Sequence, residues 1–561
     1  MPTYKGVYLV LDGFRKVKVP TTFPIYVETQ NPEIIAQHPS VEYYEEEVWK
    51  DIHENEVKLY RFELTDYNAY LYIRKKAKVV NELPTVMAQT LYRLKAYPFR
   101  KVRIEGGKVV EVFPEEFPKI TYATVTTVDW FGPSYYGKEF IANVNGVEIK
   151  EKVGEFDLAV DVAECFGIAC HKVKSSVLIK RKRAPVSVKG LIEWSLTTKT
   201  PIRELEDSTI GKALTTNEAW VALKRKVIVP GVVPRVEKLR TVEQLKEVDK
   251  GGLIVFPKVG AYNQVYQLDF SSMYPSLIVK YNISFDTVDK CDDVVTEIGH
   301  SICMKEKGIV PEALEWLVKR KEELKRIDEE RAEAIKWILV ASFGYLGYRN
   351  SKFGKIEAYE LVTYFARKTL REAIELAKKY KVEVLHGIID SLIVKGDNVK
   401  EFSEAIERLT GLKMKVEEMD WVILFPRRDG MPYPMRYLAK RKDGEVKAKG
   451  LIRSNMPNVV KEFLERAVKA MGKAKKFEEI DLNEIKEIKK ELEERIIEGK
   501  ERADFVIWVK DRPLVRGVRG FYDAREGYKG RDVGYYLDYL EREYEVLVNA
   551  IHGIRAVGQV N

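Results

Sequence analysis

No single hydrophobic core can take in all of this chain. Cores stop growing near about 250 to 300 residues and domains usually run about 100 to 200, so 561 residues must divide into several folded parts. With 45% hydrophobic and 32% charged residues, those parts read as globular. No apolar run approaches the roughly 18 residues of a membrane span, and Met1-Pro2-Thr3-Tyr4-Lys5-Gly6 lacks the apolar stretch of a secretory signal. A cytoplasmic protein with no membrane partner is the expectation. The net charge of +9 permits a polyanionic partner without requiring one. Dense Lys and Glu with 31 Tyr also resembles proteins from hot environments. The four cysteines fall as Cys165 with Cys170 and Cys291 with Cys303. Neither pair has the second Cys/His pair of a zinc site, which leaves free thiols or disulfides.

The patterning changes along the chain. From Tyr4 to about Val112, short β-like runs such as Val7–Leu11 and Tyr70–Ile73 alternate with polar turns, which predicts a mainly β domain. Pro114 and Pro118 bracket a junction, after which Ile120–Val128 and Phe140–Val147 read as strands. Tyr262–Phe270 is a further strand, and Tyr274-Pro275 after it favours a turn. Pro311–Leu339 is strongly helical, with Leu314, Leu317, Val318, Leu324, Ile327, Ile335 and Ile338 on one face and Gly344 and Gly347 at its end. Tyr359–Tyr380 is another helix, followed by strands Val382–Leu385 and Leu392–Val394. From Met456 onward helices dominate, including Lys475–Gly499 and Asp532–Ile551.

Two carboxylates stand out. Asp269 lies at a strand end before a tight turn, where one carboxylate can hold Mg²⁺, an ion that takes oxygen ligands and only one or two carboxylates from protein. Asp390, in His386-Gly387-Ile388-Ile389-Asp390-Ser391, lies in a turn between two strands. It is either a second metal ligand or a hairpin cap. Farther on, Arg436, Tyr437, Lys440, Arg441 and Lys449 surround a hairpin tip at Asp443-Gly444; such a run suits a phosphate backbone or simply a solvated surface.

These segments together carry a resemblance. Asp269-Phe270-Ser271-Ser272-Met273-Tyr274-Pro275-Ser276-Leu277-Ile278 is similar to the first polymerase motif of B-family DNA polymerases, Asp-Phe-x-Ser-Leu-Tyr-Pro-Ser-Ile-Ile. His386 to Ser391 resembles the family's Tyr-Gly-Asp-Thr-Asp-Ser, with His386 for the tyrosine, Ile388 for the first aspartate and Asp390 for the second. Lys336 to Tyr348 resembles the fingers motif, with Val340, Ala341 and Phe343 where the family has Asn, Ser and Tyr. The resemblance implies two Mg²⁺ ions, or Mn²⁺ in their place, held by Asp269, the Phe270 carbonyl and Asp390. It implies a triphosphate on the backbone of Ser271, Ser272 and Met273 and on Lys336, a sugar against Tyr274, and Val340 at the nascent base pair. Tyr274 has ordinary core packing as its other reading. Arg320 matches a second phosphate-contacting residue, but on one straight helix it would stand about 24 Å from Lys336. The chain must therefore turn near Ile327-Asp328 for both to reach one nucleotide.

The degenerate second motif places the chain beside the second B-family paralogue group of crenarchaeal archaea. The family's proofreading exonuclease begins with Asp-x-Glu on a strand, and Ala123 and Val125 fill those positions here. No Tyr occurs between Tyr136 and Tyr262, so the third exonuclease motif is missing from its place. Asp157 and Asp161 are the remaining acidic candidates. The implied fold is a multi-domain α/β right hand. Its expected parts are a β-rich N-terminal domain (1–112), an exonuclease-like domain (113–205), a return to the first domain (206–245), a mixed palm (246–309 and 349–449), helical fingers (310–348) and a helical thumb (450–561). The implied activity is template-directed addition of dNMP to a primer 3′-end without proofreading, in repair or damage bypass. Its implied partners are primer-template DNA, dNTPs and a sliding clamp or accessory subunit. The alternative is a weak or inactive polymerase-derived scaffold that binds DNA.

Overall fold

The computed structural model describes residues 2–11, 15–131, 137–144, 147–149, 155–160, 174–179, 183–231, 236–427 and 429–558. It resolves into two compact units, one of residues 1–127, 140–251 and 274–365, the other of 128–139, 252–273 and 366–561.

The first unit opens with β structure. Strand Gly6–Leu11 pairs antiparallel with Arg15–Pro20, which sets Val7 opposite Val19, both buried. A four-stranded antiparallel sheet follows in the order Val41–Lys50, Glu56–Leu64, Phe23–Glu28, Lys78–Val80. Phe23, Ile25, Val27, Phe62 and Leu64 form its core. Tyr70–Ile73, expected as a strand, instead closes the helix Tyr67–Ile73, where Asp66 caps the first turn by accepting from the Asn68 N–H. The buried set Ala69, Tyr70 and Ile73 has the three-to-four spacing of a helical face, which in so short a run looks like a strand. Beyond this, Tyr122–Thr124 pairs parallel with Leu158–Val160, and Glu155–Val160 with Lys174–Ile179.

The long amphipathic stretch becomes two helices, Ile309–Leu324 and Glu329–Gly347, joined by a turn over 325–328. Asp328 accepts from the Arg331 N–H and so caps the second helix. Gly344 lies inside that helix and Gly347 is its last residue. Both helices present apolar faces, Leu314, Leu317 and Leu324 from one and Ile335, Ile338 and Leu339 from the other. The helix Val188–Thr198 packs closely on the second, since a Cβ at Gly190 would lie 3.0 Å from that of Ala334 and Trp194 Nε1 donates to the Ala334 carbonyl at 2.8 Å.

The second unit is built on a seven-stranded antiparallel sheet in the order Ile254–Val255, Glu383–Ile388, Ser391–Lys395, Gly260–Phe270, Met414–Pro426, Pro432–Arg441, Val446–Lys449. The strand Gly260–Phe270 is therefore central, paired on both sides. After it the chain turns at 271–272 and enters the helix Met273–Lys280. Pro275 sits in the first turn of that helix, where its missing N–H has no helical partner to lose, so the turn expected at Tyr274-Pro275 lies instead at 271–272. The C-terminal helices Asn458–Met471, Leu482–Glu498 and Val533–Gly558 share a core with the sheet, centred on Trp421, Phe425, Phe463, Phe505 and Tyr536. The second of these begins at Leu482, seven residues after the start at Lys475 that the charge pattern suggests, and is capped by Asp481, whose carboxylate accepts from the N–H groups of Asn483 and Glu484. Among the described residues, no helix is long and apolar enough to cross a membrane.

Candidate active site

Asp269 is the penultimate residue of the central strand, opposite Ser391 on one side and Lys415 on the other. Asp390 lies in the two-residue link between Glu383–Ile388 and Ser391–Lys395. The Phe270 N–H donates to the Asp390 carbonyl at 2.9 Å, so main-chain pairing carries Asp390 to the end of the strand that bears Asp269. Burial raises the Asp390 carboxyl above its ordinary range, the Asp269 carboxylate raises it further, and Lys449 partly offsets both. Two acidic side chains that repel each other at a sheet end are the donor set a divalent cation stabilises, and Mg²⁺ needs no more than two carboxylates from protein. No group of three metal-binding side chains occurs among the described residues.

Asp269 is oriented by Gln267, two residues earlier on the same face of the strand, whose Nε2 donates to Asp269 Oδ1 at 2.9 Å. Lys447 Nζ in turn donates to Gln267 Oε1 at 3.0 Å. Sequence reasoning missed both residues. The signal was available in the two-residue period of the strand, which sets residue 267 beside residue 269. In the second motif, His386 is buried with its two ring nitrogens 2.7 Å from the carbonyls of Val255 and Pro434. Ile389 takes φ +57°, the left-handed region that a β-branched residue rarely enters. Its N–H donates to the Leu253 carbonyl at 2.9 Å, and Gly252 leaves room for its side chain, since a Cβ there would meet Ile389 Cγ1 at 2.7 Å. The unfavourable turn that displays Asp390 is thus held by the segment before the central strand.

Around the turn after Asp269, the Ser271 N–H donates to the Lys413 carbonyl at 2.8 Å, Ser272 has φ +49° and Met273 is buried. In the first unit, Tyr274 stacks on Phe343 with ring centroids 4.3 Å apart, and Phe343 stacks on Tyr359 at 4.4 Å. Lys336 is exposed on the helix Glu329–Gly347, paired with Glu333 one turn earlier at 2.9 Å, and Val340 is exposed on the same helix. The turn required for Arg320 exists, but its guanidinium is engaged by Glu193 at 2.8 Å and by Glu115. Glu193 is wholly buried and also pairs with Arg331 at 2.8 Å. A buried carboxylate needs such partners, so in this conformation Arg320 serves the packing of the helix pair.

The basic segment of the second unit divides in a similar way. Tyr437 is buried, and its hydroxyl is pushed up to about 12 by burial, then by the charges of Asp269 and Glu417. Arg436 contacts Glu543 at 3.5 Å, and Lys440 is buried with Nζ donating to the Ala474 carbonyl at 2.9 Å. Arg441 pairs with Glu445 and Asp443 beside the hairpin tip, at 2.7 and 2.8 Å. Lys449 is exposed and near enough to Asp390 to act on its charge.

Ala123 and Val125 belong to the strand Tyr122–Trp130 and Asp157 to Glu155–Val160, but their side chains lie outside what the structure describes, as do Asp161, Cys165 and Cys170 altogether. Cys291 and Cys303 form a disulfide.

Known proteins resemble this chain in sequence and in fold. Residues 220–416 match the model of DNA polymerase family B. The chain is 56% identical over 546 residues to DNA polymerase 2 of Saccharolobus solfataricus, covering 97% of this chain and 85% of that one. It is 30% identical to DNA polymerase 1 of Aeropyrum pernix over 255 residues, 41% of this chain and 26% of the relative. The family B DNA polymerase of Pyrobaculum calidifontis has the same fold, with a TM-score of 0.66 over 98% of this chain and 99% of that one at 18% identity. The chain therefore belongs to DNA polymerase family B and is a DNA-directed DNA polymerase.

Proposed function

We propose that this polymerase extends primers by two-metal phosphoryl transfer at Asp269 and Asp390, without proofreading. The observation that carries the reading is the backbone hydrogen bond from Phe270 to Asp390, which joins the two carboxylate-bearing segments, together with the repulsion that raises Asp390. Asp269, the Phe270 carbonyl and Asp390 are the groups that would hold Mg²⁺, with Mn²⁺ as a substitute. Two such ions supply Lewis acidity, which makes the primer 3′-hydroxyl a better nucleophile and neutralises the departing pyrophosphate. Gln267 keeps one oxygen of Asp269 fixed, and Lys449 limits the charge that gathers when no cation is bound.

By family resemblance, the backbone at Ser271, Ser272 and Met273 and the ammonium of Lys336 receive the triphosphate, Tyr274 lies under the sugar, and Val340 faces the nascent base pair. Lys336 can leave its surface pair with Glu333 to do this, since such a pair is worth only about 0.3 to 0.5 kcal/mol. Lys449 and Arg441 are the members of the basic hairpin best placed to meet the DNA backbone. The division into N-terminal domain, exonuclease-like domain, palm, fingers and thumb is part of the same proposal. Ala123 and Val125 stand at the expected exonuclease carboxylate positions, so hydrolysis of the primer end lacks its metal ligands. A polymerase of this kind suits repair or damage bypass. Primer extension with Mg²⁺ and four dNTPs tests the reading: extension by the natural protein and its loss in Asp269→Ala and Asp390→Ala are expected. Extension that survives both substitutions would move the chemistry elsewhere, and progressive trimming of a mismatched primer would restore proofreading.

A further inference from the structure

We infer that Tyr359 sets the discrimination between deoxyribose and ribose by positioning Tyr274 through Phe343, an inference that rests on Tyr274 being the residue beneath the sugar. The three rings form one stack. Tyr274 and Phe343 are 4.3 Å apart with planes inclined by 28°, and Phe343 and Tyr359 are 4.4 Å apart with planes inclined by 17°. Phe343 has no hydroxyl, so its hold on Tyr274 is that of ring packing. A ring that excludes a 2′-hydroxyl must hold its place against that group, and the half-buried Tyr274 holds more firmly when the ring behind it is itself stopped. Tyr359 supplies that stop.

Two features fix Tyr359. Gly347 lies against its ring: a Cβ at that position would come within 2.8 Å of Tyr359 Cδ2 and 3.0 Å of Cγ, so the ring occupies space that only glycine leaves. The next residue, Glu360, is buried and gripped from two sides, by Arg240 at 2.5 Å and by His300 Nε2 at 2.8 Å. His300 is fixed in turn through Nδ1 to Asp289 at 2.9 Å. The first turns of the helix Ile356–Lys379 are thereby anchored by charge on one side while Tyr359 presses on Phe343 from the other. Tyr359 is a positioning residue; it acts through Phe343 and touches no reacting atom.

The test is the ratio of kcat/KM for a dNTP to that for the matching rNTP, measured by single-nucleotide incorporation on the full chain. Tyr359→Leu is expected to lower the ratio about five- to tenfold, mainly by admitting rNTP, since an aromatic pair contributes an amount that converts to a factor of that order. Tyr359→Phe, which keeps the ring, holds the natural ratio. Tyr274→Ala lowers the ratio further, and adding Tyr359→Leu to it changes nothing more. A natural ratio in Tyr359→Leu beside a collapsed one in Tyr274→Ala would overturn the positioning role and leave the sugar contact standing. A natural ratio in Tyr274→Ala would overturn the sugar contact and this inference with it. Gly347→Ala gives a second route that does not depend on Tyr359→Leu folding, because alanine favours the helix while forcing the ring to shift. Its ratio is expected to fall, and an unchanged ratio there counts against the inference.

Discussion

At the scale of single residues, two cations that look alike in sequence separate by burial. Arg320 is committed to Glu193 and Glu115, whereas Lys336 stands in solvent beside Glu333. Arg320→Ala is expected to cost about 3 kcal/mol or more in urea denaturation, because Glu193 is left buried with one of its two arginines. Lys336→Ala should leave the denaturation midpoint in place and raise KM for dNTP about tenfold or more, as loss of a charge-assisted phosphate contact does. Equal effects of the two substitutions on KM, with no change in stability, would return Arg320 to the nucleotide. Sequence marked Asp269 and Asp390 as the candidate carboxylates, and the structure joins the segments that bear them through the Phe270 to Asp390 hydrogen bond. Gln267 was legible only through the two-residue strand period that sets it beside Asp269, and Glu193 and Tyr359 were not legible at all, because their partners Arg320, Arg331 and Phe343 lie in other elements.

At the scale of elements, a turn near Ile327-Asp328 was expected so that Arg320 and Lys336 could reach one nucleotide; the structure has the turn at 325–328, yet Arg320 there is held by Glu193 and Glu115. The start of the helix Leu482–Glu498 was not, because Lys and Glu suit a helix and an exposed 3₁₀ turn alike, and the 3₁₀ turn Phe477–Glu479 precedes it. The helix Ile356–Lys379 carries a pH response. Burial of His300 would by itself lower its pKa, but hydrogen bonds to Asp289 and Glu360 prevail and raise it to about 9. A raised pKa means that the clamp contributes its full stability below the ordinary histidine value of about 6.5 and loses it as pH rises through about 9. The unfolding free energy should therefore fall between those limits by an amount on the order of 1 to 2 kcal/mol after solvent screening, and the melting temperature should fall with it. His300→Gln should flatten that slope; a slope that persists in the variant would assign it to other groups.

At the scale of the whole molecule, motif order in the sequence foretold the polymerase family, and the sheet explains why the motifs lie so far apart. Strands from 260–270, 391–395 and 414–426 are neighbours in space, an arrangement that local periodicity cannot reveal. The disulfide was equally hidden, since twelve residues of sequence separation allow a bridge without requiring one. Closing a loop of that size contributes about 3 kcal/mol by restricting the unfolded chain. Cys303→Ala, or a reductant, should lower the unfolding free energy by that order while leaving primer extension at moderate temperature intact. An unchanged unfolding midpoint under reduction would mean that the bridge is absent in solution.

The hydrogen bond from Phe270 to Asp390 has a bearing on descent. It is made by main-chain atoms, which every residue but proline supplies on the donor side, so the separation of the two carboxylates is inherited from the strand pairing and not from the side chains around them. Substitution at neighbouring positions, such as His386 and Ile388, can change the charge and shape of the surroundings without removing the main-chain atoms that join the Asp269 and Asp390 segments.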